Sequence, residues 1–130
     1  MHNPPLILIV DDMPSFLEIF GEKLKGAGFA VETAPNGEEG IKRAKEIQPD
    51  LILMDVRMPV MNGTDAVVKL KDDEATKNLR VIFLTELGDP REEVQAVNRK
   101  FAQELGAVDY VKKSVDLDVL VAKVKSHLAS

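Results

Sequence analysis

Short apolar runs recur along the chain and are separated by longer stretches rich in polar residues. Continuous runs occupy residues 6–10, 51–54 and 81–84, and weaker ones occupy residues 29–33 and 107–111. Apolar runs that do not alternate with polar residues are typical of strands covered on both faces, as in a parallel sheet. The pattern therefore predicts five buried strands.

The stretches between these runs have the spacing of helices. Their apolar residues recur every three or four positions, which gathers the side chains on one helix face. The stripes are Phe16, Phe20 and Leu24; Ile41, Ala44 and Ile47; Val94, Val97, Phe101 and Leu105; and Leu117, Leu120, Val121, Val124 and Leu128, with a shorter helix predicted at residues 64–71. Strands and helices thus alternate five times.

Local signals place the ends of these helices. Pro14 suits a first helical turn, where its missing N–H costs nothing, and Asn36 followed by Glu39 forms a capping pair. Asp89-Pro90 predicts the start of the fourth helix. Two glycines follow a helical stripe and precede a strand, as C-terminal caps do: Gly28 and Gly106.

Five consecutive strand–helix units indicate an α/β fold built on a parallel sheet. Right-handed crossovers place helices on both faces of such a sheet, and ligands bind beside the carboxyl ends of its strands. We expect a single domain over residues 1–130, with no output domain after the fifth helix.

Composition narrows the classes of function. The chain has 17 basic and 22 acidic side chains and a net charge of −5, which argues against binding to nucleic acid. It has no cysteine, which excludes disulfides and thiolate chemistry. The apolar run at residues 6–10 is too short for a membrane span or a signal peptide. A cytoplasmic protein is expected.

Charged and hydroxyl side chains stand where the predicted strands end. The residues are Asp11 and Asp12 after the first strand, Asp55 after the third, Thr85 after the fourth, and Lys112 and Lys113 after the fifth. Carboxylates packed together repel unless a cation intervenes. Mg²⁺ suits such a set because it binds through one or two carboxylates and leaves room for phosphate oxygens. A nearby hydroxyl and ammonium would complete a clamp for a phosphoryl group.

This set of residues resembles the response-regulator receiver family over essentially the whole chain. The family's acidic pair matches Asp11-Asp12 after LILIV, and its phosphoacceptor segment matches LILMDVRMP around Asp55, followed by Asn62-Gly63. Its hydroxyl residue matches Thr85 in IFLTE and its lysine matches Lys113 in GAVDYVKKS. The resemblance implies a flavodoxin-like fold, with a five-stranded parallel sheet in the order 2-1-3-4-5 and helices on both faces.

The resemblance also implies the metal site and the phosphoacceptor. Asp55 would attack phosphorus and become an acyl phosphate in a Mg²⁺-dependent reaction. Asp12 would bind Mg²⁺ directly and Asp11 through a water, and the backbone carbonyl of Arg57 would be a further ligand. The protein would catalyse only its own phosphorylation and dephosphorylation, and would not be a turnover enzyme.

A second group of implied roles concerns the switch. Lys113 would pair with a phosphate oxygen and Thr85 would donate a hydrogen bond to it. Tyr110 would change its rotamer with the movement of Thr85, altering the face formed by the fourth helix, the fifth strand and the fifth helix. The implied donor is a histidine kinase or a histidine phosphotransfer protein. A downstream protein target and a possible homodimer complete the expected partners.

Five features depart from the family pattern or complicate the match to it. Ser114 replaces the usual proline after the lysine, so the peptide bond there is expected to be trans. Lys112 competes with Lys113, but its side chain should point to the opposite face of the strand.

Glu86 and Arg57 flank the site, and we expect them to change the lifetime of the acyl phosphate. The segment between Thr85 and Tyr110 is about six residues longer than usual, which predicts a longer fourth helix or a longer loop before it.

Three other functions fit parts of the pattern. A flavodoxin-like FMN-binding protein would need a phosphate loop after the first strand, where Asp11-Asp12 would repel phosphate. A phosphatase with an aspartyl nucleophile would need an acid two residues after Asp55, where Arg57 stands. A degenerate receiver that acts only as a protein-interaction module remains the main alternative, and Ser114 is the departure that favours it.

Overall fold

Five strands form a single parallel sheet. The computed structural model describes residues 2–85 and 103–129. The strands are β1 (Leu6–Val10), β2 (Ala30–Ala34), β3 (Leu51–Asp55), β4 (Val81–Thr85) and β5 (Asp109–Lys112). Their spatial order is β2-β1-β3-β4-β5, and each neighbouring pair is parallel. The predicted α/β fold and strand order are therefore confirmed.

Four helices accompany the strands in the described ranges. They are α1 (Pro14–Gly26), α2 (Gly37–Ile47), α3 (Gly63–Lys71) and the C-terminal helix (Leu117–Leu128). Of the predicted fourth helix, residues 103–105 are helical. Glu86, the start signal Asp89-Pro90 and most of the lengthened segment lie outside the described residues. In the described ranges, no helix is both long and apolar enough to cross a bilayer.

The two faces of the sheet carry separate apolar layers. Alternate strand residues such as Leu8, Ile52 and Phe83 pack with buried residues of α2 and α3. Their neighbours in sequence, such as Ile9 and Leu53, face the other way and pack with α1 and the C-terminal helix. Because both faces are covered, every residue of β3 and β4 is buried. This double covering is the reason that the strands appear in the sequence as continuous apolar runs.

The helix boundaries follow the local signals in the sequence. Pro14 occupies the start of α1, and the side chain of Asn36 accepts a hydrogen bond of 2.9 Å from the N–H of Glu39 at the start of α2. Gly28 and Gly106 adopt φ angles of +100° and +104°, which a side chain would strain. Each glycine lets the chain turn from a helix toward the next strand.

Candidate functional site

Three carboxylates meet at the carboxyl edge of the sheet. Asp11 and Asp12 follow β1, and Asp55 is the last residue of β3, which pairs directly with β1. One oxygen from each carboxylate lies within 4.8 Å of the others. Asp11 and Asp55 are buried, with 0% and 2% of their surface exposed, whereas Asp12 is exposed. The exposed carboxylate leaves this cluster open to solvent on one side.

Lys113 brings a positive charge into the cluster. Its Nζ lies 2.8 Å from Asp11 Oδ2 and 3.2 Å from Asp55 Oδ2, and its side chain is only 4% exposed. Its backbone N–H donates a 2.7 Å hydrogen bond to the carbonyl of Thr85, which fixes the chain as it leaves β5. Lys112, the neighbouring lysine, is exposed. The ammonium that reaches the carboxylates is therefore that of Lys113.

Ser114 does not prevent this contact. Within the described residues, one peptide bond is cis, and it joins Asn3 to Pro4. The peptide bond between Lys113 and Ser114 is therefore trans, as expected. The lysine reaches both carboxylates from this trans geometry. Serine in place of proline at residue 114 therefore does not remove the Lys113 ammonium from the carboxylate cluster.

Burial and like charge make Asp55 an unusual carboxyl group. Its pKa is raised from 3.8 to about 7, first because burial penalises the charged form and then because of the nearby charge of Asp11. The ammonium of Lys113 acts in the opposite direction. Burial by itself would lower the pKa of Lys113, but its contacts with Asp11 and Asp55 outweigh burial and raise it. In the absence of a metal ion, the lysine therefore stays charged while Asp55 holds a proton up to near neutral pH.

The carboxylate of Asp11 fits a cation site. Its Oδ1 accepts a 2.9 Å hydrogen bond from the N–H of Met13. Its Oδ2 is buried and lies 2.8 Å from the Lys113 ammonium at angles outside hydrogen-bonding geometry. No other group in the described ranges donates a hydrogen bond to that oxygen. A buried carboxylate oxygen that no hydrogen bond saturates, beside two further carboxylates, suits Mg²⁺, which prefers oxygen ligands.

The loop after β3 shapes the site through its backbone. Gly63 donates a 2.8 Å hydrogen bond from its N–H to the carbonyl of Val56. A β-carbon at residue 63 would lie 2.0 Å from the carbonyl oxygen of Asp55, so glycine is required there. In the sequence, Asn62-Gly63 appears only as part of the match to the receiver family. The signal for a close approach was the glycine itself, directly after an Asn that caps α3.

Val60 has a backbone conformation that the sequence pattern does not predict. The N–H of Met61 donates a 2.7 Å hydrogen bond to the carbonyl of Pro59, and Val60 between them has a φ of +71°. This is a γ-turn of the rare kind with positive φ, which is strained for a β-branched residue. Val60 is also 77% exposed. Nothing in the local sequence marks this conformation.

The remaining predicted residues lie around the cluster. Thr85 ends β4 and is buried, and its neighbour Leu84 pairs with Asp55 across the sheet. Tyr110 lies in β5 and is half-buried against the apolar layer of α2 and α3. The N–H of Arg57 donates a long hydrogen bond of 3.4 Å to Asp55 Oδ1. Glu86 lies outside the described residues.

Comparison with known proteins gives one consistent family. A sequence model of the response regulator receiver domain matches residues 7–125. Protein PilH of Pseudomonas aeruginosa is 34% identical over 95% of this chain and 97% of its own length. The DNA-binding dual master transcriptional regulator RpaA of Synechocystis is 34% identical over 95% of this chain, which spans 49% of RpaA. The chain covers still smaller parts of the next two curated relatives, 8% and 25%.

Solved structures show the same fold. A putative response regulator from Chloroflexus aurantiacus has a TM-score of 0.85 and 33% identity, covering 97% of this chain and 99% of its own. The signal receiver domain of a signal transduction histidine kinase from Syntrophus aciditrophicus has a TM-score of 0.82 and 35% identity, covering 96% of this chain and 90% of its own. The likeness thus extends over nearly the whole length of both structures.

Proposed function

Because this chain belongs to the response regulator receiver domain family of two-component signalling, we propose that Asp55 accepts a phosphoryl group from a phosphohistidine donor. One observation carries the proposal. The Asp55 carboxylate is buried at the carboxyl edge of the sheet, 3.2 Å from the Lys113 ammonium and clustered with Asp11 and Asp12. Such a set supplies a nucleophile and a cation, and it supplies ligands for a divalent metal ion.

The transfer exchanges one bond for another. An oxygen of the Asp55 carboxylate forms a bond to phosphorus, and the bond from phosphorus to the donor imidazole nitrogen breaks, leaving its electron pair on nitrogen. Asp11, Asp12, Asp55 and the backbone carbonyl of Arg57 are the proposed ligands of Mg²⁺. When bound, Mg²⁺ supplies positive charge to the phosphoryl oxygens and favours the ionised form of Asp55.

Lys113 and Thr85 are the proposed partners of the transferred group. The Lys113 ammonium is held at the carboxylate that becomes phosphorylated, so it is placed to pair with a phosphoryl oxygen. Thr85 ends the strand beside Asp55 and would donate a hydrogen bond from its hydroxyl. Both side chains are buried. Their hydrogen bonds would therefore form in a site with little competing water.

We propose that phosphorylation changes the surface through which the protein binds its partners. Movement of the Thr85 hydroxyl toward the phosphoryl group would be coupled to the rotamer of Tyr110 in β5. The affected face would comprise β5, the C-terminal helix and the predicted fourth helix, most of which lies outside the described residues. It would bind a downstream protein or a second copy of the chain. In this proposal the protein is cytoplasmic and is not a turnover enzyme, since each molecule catalyses only the gain and loss of its own phosphate.

Intact-mass measurement tests the chemistry. The protein is incubated with acetyl phosphate and Mg²⁺, and the expected result is a mass gain of one phosphate that is absent in Asp55→Asn. Asp65→Asn is the matched control, because Asp65 is an exposed aspartate at the start of α3. A folded wild-type protein that gains no phosphate would instead support a receiver that acts only as a protein-interaction module.

A further inference from the structure

An aromatic ring borders the lysine of the site. Phe16 lies in the first turn of α1, four residues after Asp12, and the Nζ of Lys113 lies 4.5 Å from the centroid of its ring. This distance is within the range of a cation–π contact. The ammonium therefore contacts two carboxylates and one aromatic face.

The position of the ring is itself fixed by packing. Phe16 packs edge-on against Phe20, with ring centroids 5.5 Å apart and an interplanar angle of 89°. Phe20 is buried in the apolar layer between the sheet and α1. The ring of Phe16, which is half-buried, is thus held by the turn of helix below it. Because the Phe16 ring is fixed, its contact can restrict the position of the Lys113 ammonium.

Lysine needs such support at this place. Its four-carbon chain has many rotamers, and a flexible ammonium loses conformational entropy when it is confined to one position. The two carboxylates attract the ammonium, and their oxygens lie 2.8 Å and 3.2 Å from it. A metal ion on those carboxylates would weaken that attraction. The ring of Phe16, in contrast, attracts the ammonium independently of what the carboxylates bind.

We propose that Phe16 is a positioning residue for phosphoryl transfer, whose ring holds the Lys113 ammonium beside Asp55. This inference rests on the proposed function, since it assigns to the ring the task of keeping the lysine ready for a phosphoryl oxygen. In this proposal Phe16 has no direct role toward the phosphoryl group or the metal ion. It acts through Lys113.

Three variants separate this role from packing. Phe16→Leu keeps an apolar side chain but removes the aromatic face, and Phe16→Tyr restores an aromatic face. Leu24→Ala is the matched control, because it removes a buried apolar side chain of the same helix, eight residues or about 12 Å beyond Phe16 along the helix axis. Rates of phosphorylation by acetyl phosphate at saturating Mg²⁺ are measured by intact mass, with urea unfolding recorded for each variant.

The expected result is a selective loss of rate. Phe16→Leu should be phosphorylated about threefold to tenfold more slowly, the factor that corresponds to a contact of this kind, and Phe16→Tyr should stay near the wild-type rate. Leu24→Ala should lose stability and keep its rate. If Phe16→Leu keeps the wild-type rate, or if Leu24→Ala is slowed as much as Phe16→Leu, the inference is overturned.

An NMR measurement on the resting protein separates this inference from the proposed function. The ε-methylene protons of Lys113 should be shifted upfield by the ring current in the wild type and in Phe16→Tyr, and should lose this shift in Phe16→Leu. Shifts that do not respond to the ring overturn the inference. A wild-type protein that takes up no phosphate, with shifts that do follow the ring, overturns the proposed function and supports the contact.

Discussion

Gly63 approaches Asp55 so closely that a β-carbon at residue 63 would lie 2.0 Å from the carbonyl oxygen of Asp55. The start of α3 is therefore pressed against the backbone of the proposed phosphoacceptor. The N–H of Gly63 completes the contact through its hydrogen bond to the carbonyl of Val56. The shape of the site therefore depends on residue 63 being a glycine, which has no side chain.

Gly63→Ala should push α3 away from β3. We expect a loss of about 1–3 kcal/mol in the free energy of unfolding, as for other overpacked sites, together with slower phosphorylation because Asp55 is displaced. Urea denaturation and intact-mass kinetics measure the two effects. Gly26→Ala is the control, since a β-carbon there meets no atom within 4 Å and should be neutral or stabilising. Equal stabilities of the two variants would contradict the crowding at residue 63.

The raised pKa of Asp55 predicts that metal-free protein loses stability as the pH rises. Between pH 3.8 and about pH 7, the folded state holds a proton on Asp55 that the unfolded state has released. This contribution is therefore fully present below pH 3.8 and is lost as the pH rises through about 7. Each unit of difference between the folded and unfolded pKa values corresponds to roughly 1.4 kcal/mol, so the contribution of Asp55 to the free energy of unfolding is at most about 4 kcal/mol.

Asp55→Asn isolates that contribution. In the presence of EDTA, the variant should gain stability relative to the wild type between pH 5 and pH 8, because asparagine does not titrate. Added Mg²⁺ at pH 8 should stabilise the wild type more than the variant, since a ligand that binds the folded state stabilises it. Urea unfolding at the two pH values gives the comparison. A stability difference that is the same at pH 5 and pH 8 would show that Asp55 does not titrate in this window.

Lys113→Met should leave two buried carboxylates without their cation. Removal of one partner from a buried ion pair costs about 3–5 kcal/mol, and we expect a loss of this order in metal-free protein near pH 8. Lys112→Met is the matched control, because Lys112 is exposed and its replacement should change stability by less than about 0.5 kcal/mol. Thermal or urea unfolding of both variants tests this. Similar losses in both would mean that the buried contacts of Lys113 contribute little.

Val60→Gly should relieve the strain of the γ-turn. Glycine adopts positive φ without a steric penalty, so we expect a gain of about 0.5–1 kcal/mol after the greater flexibility of glycine in the unfolded chain is taken into account. Val68→Gly is the control, because Val68 is likewise exposed but lies within α3, where glycine should cost about 1 kcal/mol. Denaturation in urea compares them. Destabilisation of both variants would mean that Val60 is not strained.

The sequence predicted the strands and their order because their signals are local or follow from the family. Continuous apolar runs mark β1, β3 and β4, and the match to the family's lysine favours Lys113 over Lys112, whose side chain is expected on the opposite face of the strand. The two weaker runs were placed less well, since β2 and β5 begin one and two residues later than their apolar runs. Backbone pairing, rather than hydrophobicity, sets those ends.

Other features could not be predicted because they depend on contacts between distant segments. The position of the Phe16 ring against Lys113 joins residues almost a hundred positions apart, and in the sequence Phe16 appeared only as part of a helical stripe. The closeness of Gly63 to Asp55 depends on how α3 packs, and the turn at Val60 is imposed by its neighbours against its own preference.

The register between β4 and β5 also decides which lysine reaches the carboxylate cluster. Thr85 lies opposite Lys112, and the next residue along the chain turns its side chain toward Asp11 and Asp55. Successive side chains point to opposite faces, so sliding β5 by a single residue would exchange the two lysines. Which ammonium reaches the two carboxylates therefore depends on whether its position is odd or even, and a one-residue shift of β5 would bring Lys112 to Asp11 and Asp55 in place of Lys113.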